Sequence, residues 1–140
     1  MVKDIVTDID FLEKPLEKVK SVAEVKELAR DLLDTARYYG KSCLGLSANQ
    51  IGGTKRVVAV KITEKDFILM INPTIIKKST QCYVATEGCL SLEGERKTMR
   101  NRWVDVMYRD SGYHIRKMHC TGLVGQIVQH EIDHTNGIII

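Results

Sequence analysis

Gly122-Leu123-Val124-Gly125-Gln126-Ile127-Val128-Gln129-His130-Glu131-Ile132-Asp133-His134 is the stretch from which the rest of the chain is best read. Leu123, Val124, Ile127, Val128, Glu131 and His134 recur at helical spacing, and Gly137 ends the run. The segment is apolar through Val128 and then turns polar abruptly. A core-facing helix that carries Gln129, His130 and Glu131 needs partners for them, because polar groups buried unpaired are costly. His130 and His134 stand four apart, so they lie one turn apart on one helix face. Two imidazoles so placed can grip one divalent metal, and Glu131 beside the first can act as base on a water activated there. The plain alternative is a pair of surface histidines next to an exposed glutamate. A catalytic zinc-like site takes three protein ligands and keeps one position open. The third ligand must therefore come from elsewhere. Cys89, in Glu87-Gly88-Cys89-Leu90-Ser91, is the best candidate, since Gly88 permits an unusual backbone angle beside the thiol.

Working outward, Ser21 and Glu24 have the capping-box spacing, and Val22, Val25, Ala29, Leu32, Leu33 and Ala36 form one apolar stripe. Gly40 stands where a C-terminal cap belongs. The pattern predicts an amphipathic helix over 22–39. The middle of the chain changes period. Residues 56–62 and 67–71 read as short strands, Asn72-Pro73 as a break, and 74–78 as a further run. In 103–108, Val104, Val106 and Tyr108 fall on one face; Asp110-Ser111-Gly112 reads as a turn, and 113–118 as the returning strand. The order helix, clustered strands, helix predicts an α+β fold in one domain over 1–140.

Composition narrows the function classes. The chain has 140 residues, is 44% apolar and 28% charged, and carries 21 basic against 18 acidic residues for a net charge of +3. That balance argues against a dedicated nucleic-acid binder, so DNA is not expected as a partner. No apolar run is long enough to span a bilayer, and the N-terminus lacks a signal-type apolar segment. The expectation is a cytoplasmic protein with no membrane partner. The four cysteines, at 43, 82, 89 and 120, include no C-x-x-C pair and read as free thiols or metal ligands.

Three segments together carry a family resemblance: Gly45-Leu46-Ser47-Ala48-Asn49-Gln50, then Glu87-Gly88-Cys89-Leu90-Ser91, then Gln129-His130-Glu131-Ile132-Asp133-His134. In order and approximate spacing they resemble the signature segments of the peptide deformylases, with similarity over roughly residues 11–140. The resemblance implies antiparallel sheets around a central C-terminal helix bearing H-E-x-x-H, with a further helix near the N-terminus. It implies a hydrolase that removes the formyl group from N-formyl-methionyl nascent peptides and releases formate. By resemblance Cys89, His130 and His134 are the metal ligands, Glu131 the general base and acid, and Gln50 and the Leu90 backbone N–H the oxyanion donors. Gly45 matches a backbone contact to substrate. Leu44, Leu123 and Ile127 fall where the family lines its methionine pocket, and Arg96 near a position that contacts the peptide further along. Glu87 and Arg100 match a supporting ion pair. The cofactor implied is one divalent ion, iron(II) in the cell, with zinc, nickel or cobalt in purified protein, and a thiolate ligand on iron(II) implies oxygen sensitivity.

Several positions depart from the usual pattern: Cys43 for glycine, Ser47 for alanine, Asn49 for proline or threonine, Glu93 for proline, and Thr135 for leucine. None removes a ligand or the base. The chain ends six residues after His134. Residues 138–140 are expected to form the strand that follows the helix in longer members, with their last helix absent, as in compact, phage-type deformylases. Cys43 and Cys82 read as bystander thiols and His114 as a surface residue. His119 and Cys120, being adjacent on a strand, point to opposite faces. The Lys77-Lys78 and Arg96-Lys97 pairs read as solvated faces, with contact to ribosomal RNA as the other reading. Asp133 is either solvent-facing or an outer partner of a ligand histidine. A monomer is expected. Two other classes stay open: an H-E-x-x-H peptidase cutting internal bonds, and a non-catalytic, metal-stabilised binding module.

Overall fold

A computed structural model describes residues 1–140. Its elements in chain order are α1 (Ile9–Leu12), α2 (Lys26–Tyr39), β1 (Gly45–Ser47), β2 (Val57–Lys61), β3 (Phe67–Lys78), β4 (Cys82–Cys89), β5 (Leu92–Asn101), β6 (Trp103–Arg109), β7 (Ile115–Thr121) and α3 (Gly122–Thr135). Strand β2 explains the layering. Its Val57, Val58, Ala59 and Val60 are all fully buried, so both of its faces are covered. A strand covered on both faces reads as an unbroken apolar run and does not alternate. One face, with Val57, Ala59, Leu69 and Ile71, packs on Leu32 and Ala36 of α2. The other, with Val58, Val60 and Met70, packs on Ile127, Val128 and Ile132 of α3. The sheet runs β1-β2-β3-β6-β7, antiparallel throughout. At its far side only one face is covered, and β6 alternates accordingly, with Val104, Val106 and Tyr108 buried.

The helix expected over 22–39 begins with a 3-10 turn at Val22–Glu24, which carries the Ser21–Glu24 capping box, and becomes α-helical at Lys26. Asn72-Pro73 does not break the strand, contrary to expectation. β3 runs through it with a register shift between Ile71 and Thr74, and Asn72 takes a φ of 53°. Asparagine tolerates that left-handed backbone better than most residues, and a bulge lets pairing resume beyond it. The Asn72 side chain is also clamped: its Oδ1 accepts from the Val19 N–H at 2.8 Å and its Nδ2 donates to the Val19 carbonyl at 2.8 Å.

β4 and β5 form a separate two-stranded sheet that residue patterning did not reveal. Residues 138–140 form no strand, which corrects the other expectation. Gly137 turns the chain at a φ of +77°, and the Ile138 N–H folds back onto the Asp133 carbonyl at 2.9 Å. The segment before α2 straps the end of α3, with the Leu16 N–H on the Thr135 carbonyl at 2.9 Å. The contact is tight at Gly137, where a Cβ would stand 2.2 Å from the Glu13 carbonyl oxygen. Gly137→Ala combines this clash with a left-handed backbone. It is expected to cost about 2 kcal/mol or more, read as a lowered urea midpoint.

Candidate metal centre

Helix α3 brings Gln129, His130, Glu131 and His134 into the interior, all buried. Each finds a partner on another element or on the helix itself. Gln129 docks β5: its Oε1 accepts from the Asn101 N–H at 2.8 Å, and its Nε2 donates to the Asn101 carbonyl at 3.0 Å. That contact sets the hairpin against the helix and brings Cys89, the last residue of β4, to the two histidines. The ligand atoms of Cys89, His130 and His134 all lie within 4.8 Å of one another.

Each imidazole is oriented by its other nitrogen. His130 Nδ1 lies 2.8 Å from Glu87 Oε1. Glu87 is gripped in turn by Arg100, whose Nε and Nη2 donate to its two carboxylate oxygens at 2.9 and 2.7 Å. Arg100 Nη1 reaches Asp133 Oδ2 at 2.6 Å. Asp133 thus stands three hydrogen-bond links from His130, as a partner of Arg100. His134 Nδ1 lies 3.1 Å from Glu131 Oε1 and 3.3 Å from Ser47 Oγ. With the Nδ1 atoms engaged, the Nε2 atoms are left for the centre. His134 Nε2 is buried without a hydrogen-bond partner. A buried nitrogen in that condition, beside a thiol and a second imidazole, fits a divalent transition-metal ion.

The electrostatics agree with this fit. Burial alone would push the Cys89 thiol up, but the neighbouring His130 and His134 imidazoles bring it down to about 6. Burial works against charging the imidazoles too. The neighbouring Cys89 and the bond to Glu87 nevertheless raise His130 to about 9, and Glu131 with Cys89 raises His134 to about 10. Glu87, despite burial, is lowered to about 2 by Arg100 and then His130.

A cleft of about 280 Å³ opens on the centre. Cys89, His130, Glu131 and Glu87 supply its polar wall; Leu44, Gly45, Leu90, Leu123 and Ile127 supply much of the rest. Gly45 is required by proximity, since a Cβ there would stand 2.6 Å from Glu131 Oε2. Gln50 is buried behind this wall, beside a small void shared with Cys89, Ser91 and His134. Its Nε2 donates to Ser91 Oγ at 3.2 Å and its Oε1 accepts from the Ser47 N–H at 3.0 Å. Arg96 does not line the cleft; its guanidinium donates to the Glu93 carbonyl at 3.1 Å. Cys43 does line it, with its thiol pushed up to about 12 by burial. Cys82 and His114 are exposed, and His119 and Cys120 face opposite ways, outward and inward. Sequence reasoning missed the parts played by Ser47, Asn49 and Ser91. The only available signal was that polar residues occupy a segment otherwise destined for the interior.

A thiolate and two helix-borne imidazoles, with the buried Glu131 carboxylate facing the same cleft, make this a metal-dependent hydrolase centre. Comparison with known proteins gives the family. Residues 2–140 match the family model described as polypeptide deformylase. A peptide deformylase of Clostridium beijerinckii is 43% identical over 141 residues, covering all of both chains. One from a Roseiflexus species is 40% identical, over 82% of this chain and 70% of its own. The crystal structure of peptide deformylase from Ehrlichia chaffeensis superposes with a TM-score of 0.91 at 29% identity, over 99% of this chain and 86% of that one. A Met-Ala-Ser-bound class I type b peptide deformylase from Acinetobacter baumannii superposes at 0.89 and 26% identity, over 99% and 97%. The chain belongs to the peptide deformylase family, and the internal-bond peptidase and binding-module readings fall away.

Two outcomes follow from the charges. Arg100→Leu leaves Glu87 buried without its guanidinium partner and is expected to cost about 3–5 kcal/mol at neutral pH by urea unfolding. Because Glu87 is held below its ordinary value, its contribution is present above about pH 4.5 and fades as the pH falls toward 2, so the variant's deficit shrinks in acid. Metal binding must displace protons from both raised imidazoles, whereas Cys89 is already mostly thiolate at pH 7. Adding metal to the stripped protein at pH 7 is expected to release about two protons per ion, and fewer above pH 10, read by indicator dye in weak buffer.

Proposed function

We propose that this chain acts as one catalytic domain that removes the formyl group from N-formyl-methionyl nascent peptides and releases formate. The observation that carries the reading is the buried Glu131 carboxylate facing the same cleft as Cys89 and His130, which cluster with His134 just behind it. These three residues would hold one divalent ion, iron(II) in the cell. A bound ion would supply Lewis acidity, bringing the pKa of a water from 15.7 toward about 7.

The chain's own groups divide the remaining work. Glu131 takes the proton of the attacking water and returns it to the methionyl nitrogen as the C–N bond breaks. The formyl oxygen gains negative charge as its carbon becomes tetrahedral. The Leu90 backbone N–H and the second Nε2 hydrogen of Gln50 are the donors for it. Gln50 is held for that purpose by Ser47 and Ser91. Leu44, Leu123 and Ile127 take the unbranched methionine side chain, and Gly45 offers its backbone to the peptide. Glu87 and Arg100 keep His130 in place. Arg96 meets the peptide further along once it leaves the Glu93 carbonyl. The Met-Ala-Ser bound to the A. baumannii relative supports a methionyl peptide as ligand. The reading extends to a monomer in the cytoplasm that meets its substrates close to the ribosome, with Lys77-Lys78 and Arg96-Lys97 as the basic pairs available for that contact.

The test is formate release from formyl-Met-Ala-Ser by protein loaded with iron or nickel. Glu131→Ala is expected to lower kcat by about 10²–10⁴. Gln50→Ala is expected to lower it by about 10²–10³, with KM little changed. Equal rates in wild type and Glu131→Ala would overturn the assignment.

A further inference from the structure

Ser47 and Asn49 are buried polar residues that the catalytic scheme leaves without a full role. Their hydrogen bonds can be given a direction. Asn49 Nδ2 has two carbonyl neighbours, of His134 at 3.1 Å and of Leu12 at 3.3 Å. Both accept only, so the amide nitrogen faces them and Oδ1 faces Ser47. Ser47 Oγ lies in hydrogen-bond contact with Asn49 Oδ1 and 3.2 Å from Gln50 Oε1. A hydroxyl has one hydrogen, and Asn49 Oδ1, the closer oxygen, receives it. Toward any third group Ser47 Oγ can therefore only accept.

That third group is His134 Nδ1, at 3.3 Å. The unpartnered Nε2 of His134 faces the ligand cluster, and a ring that ligates through Nε2 carries its proton on Nδ1 and donates. Two acceptors are in reach, Ser47 Oγ and Glu131 Oε1, the latter at 3.1 Å. A Glu131 committed to His134 is a poorer proton carrier for the reaction. We propose that Ser47, oriented by Asn49, is the positioning residue for His134: it accepts the Nδ1–H, fixes the ring for metal ligation and leaves Glu131 free to turn to the substrate. Through its backbone N–H the same residue aims the Gln50 amide, so one side chain and its main chain set both a ligand and an oxyanion donor. The inference rests on Cys89, His130 and His134 being metal ligands and Glu131 the base.

The experiment compares wild type, Ser47→Ala and Ser47→Thr, loaded with cobalt(II). It measures ion release to a chelator alongside kcat and KM for formyl-Met-Ala-Ser. Ser47→Ala is expected to release the ion about 10–100-fold faster and to lose about tenfold in kcat, with KM unchanged. Ser47→Thr, which restores the hydroxyl, is expected to recover most of both. Wild-type ion release and kcat in Ser47→Ala overturn the proposal, as does an equal loss in the Ala and Thr variants, which would mark a packing effect. Should Ser47→Ala not fold, Asn49→Ala carries the test, since it removes the acceptor that orients the hydroxyl. Faster ion release supports the proposal and unchanged release overturns it. A wild type that releases no formate would count against the function above, while the ion-release comparison would still decide this point.

Discussion

The structure is organised around one burden, the polar half of an otherwise apolar core helix. Helix α3 packs Ile127, Val128 and Ile132 against the sheet and carries Gln129, His130, Glu131 and His134 into the same interior. Buried polar groups are tolerated when each is paired. The fold answers this with a partner from a different place for each. Gln129 is met by the backbone of β5, and His130 by Glu87 of β4. His134 is met by Ser47 at the end of β1 and by Glu131 one turn back. The elements that satisfy the helix are therefore the ones that build the site.

The two histidines are held in different ways. His130 sits at the end of a line of alternating charge, Glu87 to Arg100 to Asp133. Such a buried line is weak evidence of net stability, because desolvating the ions offsets most of their attraction. Its value lies in direction, since a bidentate Arg–carboxylate pair fixes the acceptor for one ring nitrogen. His134 instead depends on neutral groups and on Glu131, the carboxylate proposed as the base. The centre is thus asymmetric, with one imidazole set by a closed ionic network and the other by a hydroxyl, an amide and a neighbouring carboxylate.

The chemistry was legible in the sequence because its residues are rare in combination and their spacing is local. His130 and His134 share a helix face by arithmetic, and the Glu87 to Ser91 segment announces its thiol. α2 and the β6–β7 hairpin were legible from periodicity. The β4–β5 hairpin was not, since its strands carry Thr86, Glu87, Glu93, Glu95, Arg96 and Lys97 and show no apolar alternation. Its stability comes from pairing with itself and from docking on Gln129, both non-local. Asn72-Pro73 misled because a local breaker signal was overridden by a bulge and by the clamp on Val19. The isoleucines at 138–140 misled because β propensity is no use without an edge to pair with, and Gly137 turns them back on the helix. Ser47 and Asn49 stood out only as departures; their work depends on Leu12 and His134, distant in the chain.

The separation of β4 and β5 from the main sheet has a consequence for how the molecule holds together. Two candidate ligands belong to the rigid helix, and the third ends a strand of the small sheet, which packs on α3 through β5. A shared ion would then be a removable cross-link between the small sheet and helix α3, closing a long loop much as a disulfide would. Anything that binds only the assembled state stabilises it by mass action. The hairpin, already held to α3 by the Gln129 and Arg100 contacts, would then be gripped more firmly as free metal rises. The proposed chemistry of this chain and the cohesion of its smaller sheet would then respond together when metal runs short.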